Sequence, residues 1–405
     1  MSATRHRDLR TGRSVWHARR LPRLARHVLR RDTSADVIVV GAGISGAMVA
    51  DALSDAGLDV LIVDRRPPVS GSTPASTALV QYEIDTPLTH LTRDIGLDRA
   101  QRVWRRSRLA LDGLRERIQH LGIDADVEDC SSLYLDGSLL DPDALREEAA
   151  ARRSAGFEVT DLAPREVAAQ FGIAGRHGLL GYGSLAADPR RLTAGFLNVA
   201  LGRGARLLTP VEITAVESDR RGVSATTAQG PTLRARDLVF ATGYELPKGV
   251  PRAGHTIAST YAIATRPQPR RLWPSRSFIW EASEPYLYLR VGPEGRIICG
   301  GEDEPFADAD QRDALLPLKT AMLEEKLSQL LPGVDPRADY AWCGSFGASE
   351  TGTPSIGPVP RMPHCHAVLG YGGNGITFSA LAAQMLRNQI TGRGDPDGDL
   401  FSFRR

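Results

Sequence analysis

The spacing of hydrophobic and polar positions along this chain changes several times, and each change predicts an element. Val37 to Val40 is an unbroken apolar run, the pattern of a strand buried on both faces. Helical periodicity follows until Gly57, and Val60 to Val63 repeats the buried-strand pattern. From about Leu88 to Leu121 the apolar positions return at helical spacing, with Trp104, Leu111, Leu114 and Ile118 on one face and arginines opposite. This predicts an amphipathic helical pair. Ser132 to Leu135 reads as a strand, Asp136-Gly137 as a turn, and Pro142 as the start of a helix. The segment Gly181 to Pro189 then leads into a helix ending near Gly202.

The second half is richer in strands. Ala205 to Leu208, Val211 to Val216 and Val223 to Thr227 read as consecutive strands, and Asp237 to Phe240 as a buried strand running into the turn Ala241-Thr242-Gly243. Thr260 to Thr265, Phe278 to Glu281, Tyr286 to Arg290 and Arg296 to Cys299 alternate in the way of an antiparallel sheet. A helix from about Ala307 to Leu331 follows, and a glycine-rich loop, Gly370 to Gly375, opens a last helix from Ile376 to Ile390. No internal repeat is visible.

At 405 residues the chain exceeds the size at which one core usually stops growing, so two domains are expected. The net charge of +2 conceals a basic arm, Met1 to Arg31, in which Asp8 is the only acid. The arm lacks the apolar run of a secretory signal, and no stretch approaches the roughly 20 apolar residues needed to span a bilayer. We read it as a surface-wrapping arm with Trp16, Leu21 and Leu24 packed down, in preference to a nucleic-acid or membrane contact. Cys130, Cys299, Cys343 and Cys365 are scattered, with no CxxC pair, which leaves a disulfide framework or zinc site unsupported and fits a reducing cytoplasm. His364 and His366 flank Cys365 in a proline-rich stretch that reads as a solvated loop, and no metal site is expected.

The first buried strand ends in Gly41-Ala42-Gly43-Ile44-Ser45-Gly46. A glycine fingerprint between a strand and a helix builds a pyrophosphate site. Gly41 permits the tight turn, Gly43 lets backbone approach the phosphates, and Gly46 lets helix and strand pack closely. Asp64, at the end of the second strand and roughly 20 residues further on, is placed to accept ribose hydroxyls. Three returning segments then distinguish FAD from NAD: the small-residue loop Ser72 to Gln81, the turn Ala241-Thr242-Gly243, and Tyr371 to Ile376. The last opens a helix, whose N-terminus carries roughly half a positive charge and would stabilise negative charge on a reduced flavin.

In the order and spacing of these segments, with Ala75 to Leu79, Tyr286-Leu-Tyr-Leu-Arg290, Gly300-Gly-Glu-Asp303 and the final Gly-Asn-Gly, nearly the whole chain resembles the D-amino acid oxidase superfamily of FAD-dependent amine and amino acid oxidoreductases. The resemblance implies an α/β fold. It has a Rossmann-like FAD-binding domain of the glutathione-reductase type (residues 32–85, 186–245 and 345–392) and an α+β substrate domain on an antiparallel sheet (86–185 and 246–344). The arm 1–31 and a tail 393–405 flank them. It implies that Gly41, Gly43, Ile44, Ser45, Gly46, Asp64 and Arg65 hold the ADP half, with Val211 at the adenine. Ser72, Ser76, Thr77, Leu79, Gln81, Thr242, Gly243, Gly372, Gly373, Asn374, Gly375 and Ile376 would hold the rest.

Tyr286, Tyr288 and Arg290 alternate along one strand and can share a face. Arg290 suits bidentate capture of a substrate carboxylate, against the competing reading of a strand-end residue reaching to water. Glu302 and Asp303 could instead pair with an ammonium of a polyamine-like substrate, or be plain turn residues. The expected reaction is oxidation of an amine or amino acid by hydride transfer to FAD, giving an imine that water hydrolyses. Cys343 stands about one residue out of register with the cysteine that carries FAD in some relatives, so noncovalent FAD is expected. No lysine matches the one that activates oxygen in some oxidases, which leaves the electron acceptor open. The rival readings are a pyridine-nucleotide-dependent flavoprotein reductase, which would normally show a second glycine fingerprint, and a non-catalytic FAD-bound scaffold.

Overall fold

A computed structural model describes residues 2–252 and 254–403. Two sheets organise the chain. In the first, the parallel strands Cys365–Leu369, Thr232–Phe240, Thr33–Val40, Val60–Val63 and Arg206–Leu208 lie side by side. Val37, Ile38, Val39 and all of Val60 to Val63 are fully buried or nearly so, which is why these strands read as continuous apolar runs. Ser355–Pro358 closes one edge. Ile213–Asp219 and Gly222–Thr227 form an antiparallel ribbon on the first half of Thr232–Phe240. The helices Ile44–Asp55, Pro189–Gly202, Gly375–Ile390 and Leu97–Leu121 pack together against this sheet through a large core that includes Met48, Leu53, Leu192, Phe196, Phe378 and Leu381.

The second sheet has ten strands and is antiparallel except where Phe278–Glu281 meets Glu128–Leu135. Its centre is Ala338–Ser349, His255–Thr265, Ile297–Glu304 and Leu287–Val291. The helix Ala309–Leu330 covers one face, leaving the other to the site. Helix starts follow local chemistry. Asp141 and Asp188 cap Pro142–Ser154 and Pro189–Gly202 by accepting backbone N–H groups, each with proline at the first helical position.

Several elements differ from the sequence expectation. Ala338–Ser349 is a twelve-residue strand that the sequence pattern did not predict, because its small residues give little alternation. Gly178–Ala186 is a strand rather than only an approach to a helix. Val211 precedes the strand beginning at Ile213, its N–H donating to the Asp64 carbonyl at 2.8 Å. Cys365 and His366 are not in a solvated loop: both are buried in the strand Cys365–Leu369, with His366 Nε2 3.5 Å from Asp237.

The N-terminal arm is threaded into both sheets. Arg10–Gly12 adds an edge strand beside Ala338–Ser349, His27 bridges to Leu208, and Trp16 is buried with Leu21 and Leu24 packed against the core.

Candidate functional site

Between the two sheets runs one long cleft. Val40, Gly41, Val63 and Asp64, at the carboxyl ends of parallel strands, line one end, and Thr260, Tyr286, Tyr288 and Phe346 of the antiparallel sheet line the other. Its free space, open mouth included, is about 1870 Å³.

The fingerprint supplies the first end. Gly41 adopts φ 119°, and a side chain there would stand 2.3 Å from the Ala241 carbonyl oxygen. A side chain at Gly43 would meet only Thr73 Oγ1, at 3.3 Å, so the space above it is free of protein. Gly46 lies outside the cleft; its missing side chain lets the helix pack onto Gly41, whose oxygen a Cβ would approach to 1.8 Å. The N-cap residue Gly43 of the helix Ile44–Asp55 has no side chain to cap it; Ile44 N donates to Thr73 Oγ1 at 3.2 Å, and Gly43, Ile44 and Ser45 line the cleft. Asp64 Oδ2 accepts from Ala42 N at 2.7 Å and Oδ1 from Arg66 N at 2.8 Å. A carboxylate has about four acceptor sites, so these bonds aim it and leave room for two more. Burial holds its pKa above the usual carboxylate value. Arg65 and Arg66 pair with Glu245, and Ser2, Thr4 and Leu9 of the arm complete this end.

The small-residue loop forms the middle. Ser72, Ser76, Thr77, Leu79 and Gln81 line the cleft, as do Val211, Thr242 and Gly243. Trp16 Nε1 donates to the Ser76 carbonyl at 2.7 Å and Trp342 Nε1 to that of Ala75 at 2.9 Å. Two indoles thus pin the loop from behind.

At the far end Gly372, Gly373, Asn374, Gly375 and Ile376 line the cleft, and the helix Gly375–Ile390 presents an uncapped N-terminus. Asn374 Nδ2 donates to the carbonyls of Gln81 and Glu83, and Thr377 Oγ1 to that of Gln81, which ties the last loop to the first. Asn374 Oδ1 is buried without a partner. Tyr286 and Tyr288 face the cleft with ring centroids 5.7 Å apart. The Tyr288 ring lies across Gly300, where any side chain would collide with it, and burial raises both phenols.

Arg290 does not join them. Its Nη1 donates to the carbonyls of Ala78 at 2.6 Å and Ala187 at 3.0 Å, its Nε to that of Val291 at 3.1 Å, and it does not line the cleft. A guanidinium held this way cannot serve as a carboxylate anchor; burial pushes its pKa down to about 10. Glu302 is also turned away, buried against Lys319 and Lys326. Asp303 stands behind the tyrosines and accepts the Tyr286 hydroxyl at 2.9 Å. Asp85, Tyr244, Glu245 and Phe346 belong to the site and escaped sequence reasoning. Asp85 lay inside a segment already singled out, but nothing local marked it.

FAD fits this cleft: two helix N-termini, a glycine whose missing side chain leaves open space, an aimed carboxylate and an asparagine with an unpartnered amide oxygen line one continuous channel. No helix among the described residues is long and apolar enough to cross a membrane, and no cluster of potential metal ligands occurs among them.

Comparison with known proteins agrees. The chain is 23% identical over 399 residues to gamma-glutamylputrescine oxidoreductase of Escherichia coli, covering 91% of this chain and 86% of that one. It is 21% identical over 373 residues to the probable oxidoreductase OrdL of Haemophilus influenzae, covering 88% and 83%. Its fold matches glycine oxidase from Geobacillus kaustophilus with a TM-score of 0.75 at 20% identity, over 92% of this chain and 99% of that structure. Residues 36–389 match the model of the DAO family, described as FAD dependent oxidoreductase. With the fingerprint, the returning loops and the family match all falling on the same residues, the chain belongs to the DAO family of FAD-dependent oxidoreductases.

Proposed function

We propose that this enzyme oxidises the carbon–nitrogen bond of a small amine to an imine, which water then hydrolyses. The observation that carries the reading is the meeting, at one end of the cleft, of the Gly375 helix N-terminus with the tyrosine face of the antiparallel sheet. There a substrate would lie between sheet and cofactor.

In this reading Gly41, Gly43, Ile44 and Ser45 hold the diphosphate, Asp64 the ribose and Val211 the adenine. Ser76, Thr77, Leu79 and Gln81 lie along the ribityl chain and ring. FAD, when bound, supplies the acceptor for two electrons and the carbon-bound hydrogen of the substrate. The chain's own part is to hold and orient. The helix N-terminus at Gly375 favours negative charge at the ring edge it faces. Tyr286 and Tyr288 wall the substrate, and their raised phenols stay protonated at neutral pH, that of Tyr286 donating to Asp303, so neither serves as a base. The amine must arrive unprotonated, because a hydride leaves only a carbon beside a nitrogen lone pair. The division into cofactor segments 32–85, 186–245 and 345–392 and substrate segments 86–185 and 246–344 goes with this reading, as does a cytoplasmic location.

Noncovalent binding is supported by Cys343. Its Sγ lies 3.5 Å from Asp313 Oδ1, it does not line the cleft, and burial pushes its thiol up to about 11. Acid precipitation should release the yellow chromophore to the supernatant. Anaerobic titration with a panel of amines and amino acids should then bleach the bound flavin. A flavin that no amine reduces would favour the scaffold reading.

A further inference from the structure

The substrate end of the cleft is poor in positive charge. Among the described residues the only cationic side chains lining the cleft are Arg65 and Arg66, both paired with Glu245 beside Asp64. The opposite end holds a carboxylate with no cationic partner. Asp85 lines the cleft beside Gly372 and Gly373, is exposed to its interior, and has one bond, from Gly373 N to Oδ2 at 2.7 Å. Side chains at Gly372 or Gly373 would run into its oxygens at 2.9 and 2.6 Å, so the glycines give this carboxylate its place. Asp303 adds a second acid behind Tyr286, its Oδ1 buried and unpartnered. Around them stand Tyr244, Trp280, Tyr286, Tyr288 and Phe346.

A cleft end with one unpaired carboxylate on its wall, a second acid behind Tyr286, no lining cation and several aromatic side chains repels a carboxylate and attracts a cation. The reacting nitrogen cannot be that cation, since it must be neutral to be oxidised. The charge recognised therefore belongs to a second group.

Resting on the amine-oxidation reading above, we propose that the substrate is a diamine or polyamine-like compound lacking a carboxylate near the reacting carbon, and that Asp85 pairs with its non-reacting ammonium.

The test uses the FAD-loaded protein with three probes on one carbon skeleton: putrescine, butylamine and γ-aminobutyrate, ending in ammonium, methyl and carboxylate. Half-bleaching of the flavin under anaerobic conditions should need least putrescine and most γ-aminobutyrate. Putrescine should also raise the melting temperature where γ-aminobutyrate does not. Asp85→Asn keeps an oxygen to accept the Gly373 N–H while removing the charge. It should weaken putrescine about ten- to hundredfold relative to butylamine. The proposal falls if γ-aminobutyrate or an α-amino acid outranks putrescine, or if Asp85→Asn leaves the ranking intact. Should Asp85→Asn not fold, the wild-type ranking alone decides. If no amine or amino acid reduces the bound flavin, amine oxidation fails and this proposal fails with it; if α-amino acids reduce it and putrescine does not, only this one fails.

Discussion

Nη1 of Arg290 donates to the carbonyl oxygen of Ala78 at 2.6 Å, and Ala78 sits in left-handed backbone at φ 56°. The guanidinium therefore holds a strained turn of the cleft-lining loop in place. Arg290→Ala should destabilise the protein by about 3 kcal/mol or more, since it leaves buried carbonyls without their charged donor. FAD retention should fall, and amines with and without a carboxylate should suffer alike. A selective loss on carboxylated substrates at unchanged melting temperature would restore Arg290 to the substrate site.

Gly43 and Gly46 separate cofactor contact from packing. Gly43→Ala meets only Thr73 Oγ1 at 3.3 Å, so the FAD-free protein should melt near the wild-type temperature while flavin binding is lost. Gly46→Ala forces a Cβ to 1.8 Å from the Gly41 oxygen and should destabilise the fold whether FAD is present or not. Melting curves with and without FAD distinguish the two.

Glu83 is fully buried 3.6 Å from Arg152, and burial pushes its pKa up to about 7. The folded chain thus binds this proton more tightly than the unfolded one. Its stabilising contribution is complete below the unfolded value, near 4.5, and is lost as pH rises through about 7. Glu83→Gln cannot titrate. Between pH 5 and 8 its melting temperature should gain on the wild type, and parallel profiles would show that Glu83 stays charged throughout.

The arm lines the cleft that Gly41 and Asp64 also line. Ala3 N donates to Ile213 O at 2.9 Å, Lys248 N to Ala3 O at 2.8 Å, Arg7 N to Glu245 Oε1 at 2.8 Å and Ser345 N to Leu9 O at 2.9 Å. Deleting residues 2–12 should leave a folded core that releases FAD at least about tenfold faster, the effect of losing a few hydrogen bonds of about 1 kcal/mol each. Flavin fluorescence after dilution measures it, and an unchanged release rate would make the arm ornamental.

The parallel core was legible because Val37 to Val40 and Val60 to Val63 are apolar on both faces, and the loops that line the cleft because glycines mark close approach whatever surrounds them. Arg290 misled for a physical reason. Alternation along a strand says that Tyr288 and Arg290 share a face, but not that this face passes from the cleft to beneath the loop at Ala78. Asp85 was silent because its partner, Gly373, lies 288 residues away. His366 was misjudged in the same way: strands formed by distant residues, not its flanking prolines, decide its burial.

The threading of the arm imposes an order of events in time. Residues 2–12 find their partners at Ile213, Glu245 and Ser345 only once those distant segments have been made and folded. An arm that lines the cleft and bonds to both of its walls makes its release the expected first step of cofactor exchange. An affinity tag fused ahead of residue 2 is therefore expected to lower flavin content where the same tag after residue 403 does not.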